Sequence, residues 1–334
     1  MFDGKKVLIT GGTGTLGKAL TKRLLTTDVE VIRIYSRDEW KQSQMQSELD
    51  DKRLRFLIGD VRDRERVYRA FEDINIVFHT AALKQIPAAE YNPFEAVKTN
   101  VYGSQNVIEC CLDKNVEIAL AIGTDKAVSP FNTYGATKFL MERLFISANY
   151  YKGGRKIKFS CIRYGNVLGS RGSLVPTIVE QIQRKQKITI TDPEMTRFNI
   201  TLDQSLDLIF RAINNSIGGD ITIPKLKAYK VGDMKDAVIE LMDTKNEMER
   251  INVRPGEKFH ESLISKNEIR NTFETEEDYL LFEEQTQNQK LKDRKGIKKT
   301  SLTDEYSSDK VELHSKKELK EILVANKLIP NVSK

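Results

Sequence analysis

Cysteine, histidine and tryptophan are scarce. Among 334 residues there are three cysteines, three histidines and one tryptophan. The cysteines are Cys110, Cys111 and Cys161, two of them adjacent in an apolar run. They form no metal-ligand spacing, so no metal site is expected, and a reduced, cytoplasmic compartment is the simplest inference. Long apolar runs are lacking as well. None reaches the roughly 18 residues that a membrane span requires. The N-terminus carries no signal-peptide core, because Val7-Leu8-Ile9 already reads as a strand. A soluble protein without membrane insertion is expected, with nothing ahead of its first structural element. Charge of one sign is also missing. The chain has 54 basic and 48 acidic residues, a net +6. The basic residues are scattered, and no basic groove with an aromatic platform is found, so no nucleic-acid partner is expected. One basic cluster comes late, at Lys290, Lys292, Arg294, Lys295, Lys298 and Lys299. It reads as a solvated loop, with a phosphate or membrane patch as the alternative.

What is present is core material. Hydrophobic residues make up 39% of the chain, which excludes wholesale disorder. At roughly 150 residues per domain the length suits about two domains, or one large α/β unit with an appendage. Candidate strands at 6–10, 29–35, 55–58, 74–79, 118–123 and 157–163 alternate with amphipathic stretches such as 16–26 and 106–113. That alternation predicts an α/β fold, a Rossmann-type doubly wound parallel sheet. A smaller mixed α/β substrate-binding domain should follow. No internal repeat is found. The expected divisions are a dinucleotide-binding domain over 1–165, to which later segments can return, a mainly substrate-binding domain over 166–265, and a C-terminal appendage over 266–334. Residues 165–172 are rich in Gly, Ser and Asn and read as a loop. A helix is expected at 202–214, a polar exposed or partly disordered loop at 283–310, and a closing amphipathic helix at 316–327.

The first strand runs into Thr10-Gly-Gly-Thr-Gly-Thr-Leu-Gly17. The spacing Gly11-x-x-Gly14-x-x-Gly17 differs by one residue from the three-glycine dinucleotide fingerprint, but the physics is shared. Glycines permit the tight turn, let the backbone approach a pyrophosphate, and let the helix pack closely on the strand. Gly11, Thr13, Gly14, Thr15, Leu16 and Gly17 are therefore expected at a dinucleotide. After the second strand comes Tyr35-Ser36-Arg37-Asp38. A hydroxyl followed by a guanidinium suits a 2′-phosphate, so Ser36 and Arg37 favour NADP over NAD. Asp38 keeps NAD open, and Arg37 is alternatively a surface arginine at a helix start. After the third strand, Asp60 and Val61 are candidates for the adenine, Asp60 being alternatively a helix N-cap.

Tyr134 and Lys138 lie four residues apart, on one face of a helix. An ammonium beside a phenol favours phenolate and lowers the tyrosine pKa towards neutrality. Such a tyrosine can take the proton from a sugar hydroxyl as hydride leaves its carbon. The spacing recurs at Tyr306 and Lys310, but only the first copy follows a sheet strand and a hydroxyl-bearing turn. In that turn Thr124 is placed to hydrogen-bond the reacting hydroxyl.

With these residues in view, the chain resembles the extended short-chain dehydrogenase/reductases, and within them the nucleotide-sugar 4,6-dehydratases acting on UDP-N-acetylglucosamine. The resemblance covers about residues 1–265. It rests on the glycine loop, Tyr35-Ser-Arg-Asp-Glu39, Ala81-Ala-Leu-Lys84, Ala89-Glu-Tyr-Asn-Pro93, Thr124-Asp-Lys-Ala127, Tyr134-Gly-Ala-Thr-Lys138, Arg163-Tyr-Gly-Asn166, Met195-Thr-Arg-Phe198 and Arg254-Pro-Gly-Glu-Lys258. The Asp125-Lys126 pair discriminates, since simple epimerases of the superfamily lack it. The resemblance implies that Asp125 is the acid for the departing 6-hydroxyl and Lys126 the base for C5–H. Each should then be shifted against its ordinary pKa, the acid up and the lysine down.

By the same resemblance, Ala81 and Ala82 approach the cofactor. Lys84 reaches the cofactor or the substrate diphosphate, or is a surface lysine. Asn166, Leu174, Val175 and Pro176 line the UDP-sugar site, Arg254 pairs with the diphosphate, and Glu257 with the uridine ribose. Arg254-Pro-Gly-Glu also reads as an ordinary turn. Arg171 and Arg197 are weaker diphosphate candidates. Asn100 either ties the catalytic helix to the sheet or caps a helix. Tyrosine rather than methionine at 134 places the chain nearer the inverting type, which also epimerises C5. Related enzymes pair through a helix bundle that includes the Tyr134 helix, so a homodimer or higher homo-oligomer is expected. A nucleotide-sugar 4-epimerase and an NADP-binding redox-sensing regulator are the competing readings.

Overall fold

The computed structural model describes residues 1–170, 172–253, 256–282 and 296–330. Six strands alternate with helices in its first half: β1 (Lys6–Thr10), β2 (Val31–Ser36), β3 (Leu54–Ile58), β4 (Ile76–His79), β5 (Ile118–Ile122) and β6 (Lys158–Ile162). They pair in parallel in the spatial order β3-β2-β1-β4-β5-β6. This is the order of a doubly wound dinucleotide fold. The physical reason is burial on both faces. Val7, Leu8 and Ile9 are fully buried, as are Ala119, Leu120 and Ala121. Strands that are apolar on successive residues need helices above and below them, and only crossover connections supply both. Two large apolar clusters result, one holding Leu8, Val77 and Phe159, the other Ile9, Phe78 and Leu120.

The sheet continues past β6. Strand Asp220–Pro224 adds in parallel, Asp278–Phe282 and Thr272–Glu274 then add antiparallel, and Lys298–Lys299 closes that edge. The stretch expected as an appendage is thus split between two places. Residues 272–282 extend the main sheet. Helix Lys316–Ala325 packs on helix Val231–Leu241 and buries Leu319 and Leu323 in a smaller cluster with Val175, Ile178, Tyr229 and Met234. Ser315 and Glu318 form a reciprocal capping box at its start, so the chain enters this helix at a defined residue.

The loop expected at 283–310 falls partly outside the described residues, over 283–295, together with Lys290, Lys292, Arg294 and Lys295. Residues 296–305 are mostly exposed as expected, and the expectation is corrected at 306–308. Tyr306–Ser307 is a strand paired with Ser262–Ile264, and Tyr306, Ser307 and Ser308 are all buried. Polar composition misled here, because the Tyr306 and Ser308 hydroxyls bond to buried backbone and the Ser307 hydroxyl to Asp309. Tyr306 accepts from the Leu226 N–H and donates to its carbonyl. The second tyrosine–lysine pair is therefore a packing residue and a surface ion pair, with Lys310 on Asp304 at 2.8 Å. Lys298 pairs with Glu274.

Candidate active site

The carboxyl ends of the strands open into a cleft of about 570 Å³, where ligands bind in open α/β sheets. β1 delivers the glycine loop. Gly11 has φ +68°, and a Cβ there would stand 2.8 Å from the Ala81 backbone. At Gly17 a Cβ would stand 2.6 Å from Gly12, so the helix sits directly on the turn. Helix Thr15–Leu24 begins at Gly14 with no side-chain cap. Its first N–H groups are left for an anion. Gly11, Gly14, Thr15, Leu16, Gly17, Ala81, Ala82 and Lys84 all line the cleft. A pyrophosphate cradle of backbone N–H groups with no Cβ in the way fits a dinucleotide.

At the adenosine end the candidate side chains hold contacts within the protein. Thr13, Ser36, Arg37, Asp60 and Val61 stand apart from the cleft lining. Ser36 Oγ accepts from Gln42 at 3.0 Å. Arg37 is exposed and lies 3.7 Å from Asp60. Asp38 caps helix Glu39–Leu49 and pairs with Lys41. Asp60 is not an N-cap, since Asp63 caps helix Arg64–Ala70. Its carboxylate instead takes the backbone and guanidinium of Arg62. Val61 is buried against Gly103.

The Thr124–Lys126 turn follows β5. Thr124 Oγ1 donates to Asp125 Oδ1 at 2.8 Å, and the Lys126 ammonium donates to the same oxygen at 3.0 Å. Lys126 also donates to Asn166 Oδ1 at 3.0 Å and lies 3.3 Å from Glu261 Oε1. Helix Thr133–Tyr151 packs on this turn through Gly135, where a Cβ would fall 2.1 Å from the Lys126 carbonyl. Asn132 caps it by accepting from Gly135 N–H at 2.7 Å. Asn100 is a tie and not a cap. It lies within a π-helical segment, exchanges hydrogen bonds with the Leu83 backbone, and donates to Thr137 on the catalytic helix at 3.0 Å. Behind that helix Arg163 is buried between Glu142 and Glu268, at 2.7 and 3.1 Å.

The electrostatics correct two expectations. Burial pushes the Tyr134 phenol up to about 12, outweighing the Lys126 charge and a hydrogen bond to Thr124. Lys138 donates to Met141 Sδ at 2.9 Å, and burial lowers it to about 8. Burial also pulls Lys126 down, but Asp125 and Glu261 more than offset it, so its net shift is upward. The expected downward shift reckoned on desolvation and on Lys138. It had no sight of a second carboxylate 135 residues away.

Among the substrate-side residues, Asn166, Leu174, Glu257 and Arg197 line the cleft. Val175 turns away into the small apolar cluster, and Pro176 is not on the cleft wall. Arg197 pairs with Glu257 at 3.1 Å and donates to the Thr196 and Phe259 carbonyls. Arg171 and Arg254 lie outside the described residues. Glu261 is the site residue that sequence reasoning missed. It is a single carboxylate with no spacing motif, and the only hint was its position just past the Arg254 to Lys258 motif. All three cysteines are buried and unpaired. No grouping of His, Cys, Asp or Glu among the described residues could hold a metal, and no described helix is long and apolar enough to cross a membrane.

Residues 7–283 match the polysaccharide biosynthesis protein family. The chain is 44% identical to a UDP-N-acetylglucosamine 4,6-dehydratase (inverting) of Campylobacter jejuni, over 84% of each chain. It is 38% identical to a UDP-glucose 4-epimerase of Rickettsia rickettsii, over 97% of this chain and 96% of that one. The X-ray structure of Pen from Bacillus thuringiensis superposes with a TM-score of 0.93 at 39% identity, covering 98% of this chain and all of that one. With the glycine cradle, the Asp-Lys turn and the Tyr134 helix gathered in one cleft, the chain belongs to the polysaccharide biosynthesis protein family.

Proposed function

We propose that this protein is a UDP-N-acetylglucosamine 4,6-dehydratase, a hydro-lyase that makes a UDP-4-keto-6-deoxy sugar for surface-glycan or protein-glycosylation precursors. One observation carries the reading. Asp125 and Lys126 are held together on the cleft turn beside Tyr134, where a simple 4-epimerase needs only the tyrosine. The Campylobacter relative supports the substrate. NADP is the proposed cofactor, on Ser36 and Arg37, with NAD second. When bound it supplies the hydride acceptor for C4 and the donor for C6.

The chain's own residues do the proton work. Tyr134 takes the O4 proton, with the Thr124 hydroxyl bonded to the phenol. The ketone formed at C4 acidifies C5–H, which Lys126 removes. Asp125 protonates the departing 6-hydroxyl. Its Oδ2 is buried with no protein partner among the described residues, and Gly165 leaves room beside it. Lys84, Asn166, Leu174, Arg254 and Glu257 are the proposed contacts to the UDP-sugar. Return of the C5 proton to the opposite face would give the inverted product. We read the protein as a cytoplasmic homo-oligomer with a dinucleotide domain over 1–165 and a mainly substrate-binding part after it.

The test is proton NMR of UDP-N-acetylglucosamine incubated with the protein in deuterated water. The expected product is a 4-keto, 6-deoxy sugar with deuterium at C5, and coupling constants give its configuration. Unchanged substrate, with other UDP- and GDP-sugars equally inert, would overturn the reading. The epimerase reading is favoured by the Rickettsia relative, which spans nearly the whole chain. Asp125→Asn with Lys126→Met separates the two, since it abolishes dehydration but leaves a pure epimerase largely active.

A further inference from the structure

The cleft holds one more ionisable side chain than the reaction above uses. Glu261 is 2% exposed, yet it lies on the cleft wall. Its Oε1 is 3.3 Å from the Lys126 ammonium, and its Oε2 is buried with no protein partner among the described residues. A carboxylate kept only for packing would have both oxygens satisfied. The backbone at this position is clamped. Glu261 N–H donates to Ser308 Oγ at 2.9 Å, and its carbonyl accepts from Ser308 N–H at 2.8 Å. Ser308 is itself fixed on Thr196 at 2.7 Å, and Thr196 on His260 at 2.7 Å. The charged groups facing Glu261 are Lys126, Asp125, Arg197 and Lys258.

Lys126 therefore rests as an ammonium between two carboxylates, and an ammonium cannot accept the C5 proton. We propose that Glu261 is a positioning residue that takes the proton from Lys126 and so frees the amine to act on C5. The inference rests on the dehydratase reading. The Nζ–H bond breaks as Oε1–H forms, and the ion pair becomes a neutral amine and a neutral carboxyl. The transfer itself needs no proton from solvent, and in deuterated water the Lys126 and Glu261 protons are exchanged for deuterium between turnovers. The amine then takes the C5 proton, the C5–H electron pair becomes the C5=C6 bond, and the C6–O bond breaks. The hydroxyl leaves as water with the Asp125 proton. Lys126 returns a proton to C5 as hydride reaches C6, and Glu261 then gives back the proton it held. Asp125 has the proton it gives to the 6-hydroxyl because, in the earlier C4 step, the Tyr134 phenol passes its proton through the Thr124 hydroxyl to Asp125 as it takes the one from O4, and loss of water leaves Asp125 a carboxylate again. Burial raises the Glu261 pKa, which eases its protonation.

The experiment compares wild type, Glu261→Gln and Glu261→Asp with UDP-N-acetylglucosamine across the neutral and alkaline range. C4 oxidation is followed by reduced-cofactor absorbance in a single turnover, and dehydration by NMR. Wild type should dehydrate at a rate independent of pH near neutrality. The Gln variant should lose about 100-fold in dehydration at neutral pH and keep C4 oxidation within a few-fold. Its rate should climb about tenfold per pH unit, because Lys126 must now lose its proton to solvent. The Asp variant keeps a carboxylate, so it should recover part of the rate with a flat profile. Full dehydration by the Gln variant overturns the proposal. So does parallel loss of both half-reactions without a pH slope, which is what a structural role produces. Should neither variant fold, a tenfold-per-unit slope in wild type itself overturns it, and a flat wild-type profile supports it. Wild type that leaves the sugar unchanged overturns the dehydratase reading and this inference together. Wild-type dehydration with an unaffected Gln variant overturns the Glu261 role alone.

Discussion

Lys138 carries its charge where a protein holds charge at a cost. It is 4% exposed and is lowered by burial from 10.5 to about 8, with Glu142 only partly offsetting the loss of water. The unfolded chain binds its proton more tightly than the folded one. Stability contributed by this group therefore rises as pH climbs from about 8 to 10.5, and below 8 the full penalty is present. Lys138→Met should stabilise the protein near pH 7 by up to about 3 kcal/mol and lose most of that advantage near pH 10. Urea unfolding at the two pH values measures it. The same variant should abolish turnover, the usual cost of relieving a strained site. The placing of Tyr134 and Lys138 on one cleft was legible as a four-residue spacing. The directions of their shifts were not, because those depend on the depth of the site and on Glu142, which spacing does not encode.

At the scale of elements, the first six strands were legible to within two residues at every end, because each is a short apolar run bounded by turn residues. Helix Leu202–Asn215 was equally plain from its periodicity. The strands of the second half were not legible. Thr196–Phe198, Ala228–Lys230 and Ser262–Ile264 have three residues each and pair with distant segments, so neither length nor alternation marks them. The π-helical turn at Lys98–Tyr102 leaves no pattern either, yet it presents Asn100 to the catalytic helix. Helix Thr133–Tyr151 meets the Thr124 turn at Gly135, with no space for a methyl. Gly135→Ala should push the two apart, cost about 1–3 kcal/mol, and lower kcat more than it raises KM. Chemical unfolding and steady-state kinetics with UDP-N-acetylglucosamine check both parts.

At the scale of the whole molecule, the C-terminal segment is woven into both halves. Leu319 and Leu323 are fully buried against helix Val231–Leu241, and the Lys316 and Lys320 ammonium groups both reach Glu240. Leu323→Ala should destabilise the protein by about 2–5 kcal/mol, with its first effect on the cluster that carries Tyr229 and Val175. Thermal unfolding with and without UDP distinguishes loss of that cluster from global loss, because a ligand stabilises only the state that binds it. Charge counts did not foresee this. Surface pairs such as Arg23 on Asp207 and Lys5 on Glu117 are neutral as pairs and individually weak, so the net +6 says nothing of this packing.

The Ser308 clamp on Glu261 has a consequence in time. The glycine loop, the Thr124 turn and the Tyr134 helix are all complete within the first half of the chain. The carboxylate beside Lys126 is held in place only after residue 308 has been made and has closed onto strand Ser262–Ile264. During synthesis, at roughly 5–20 residues per second, the dinucleotide platform has several seconds to fold before this charge can be positioned. The growing chain thus gains the glycine-loop platform first and the full set of ionisable cleft residues last.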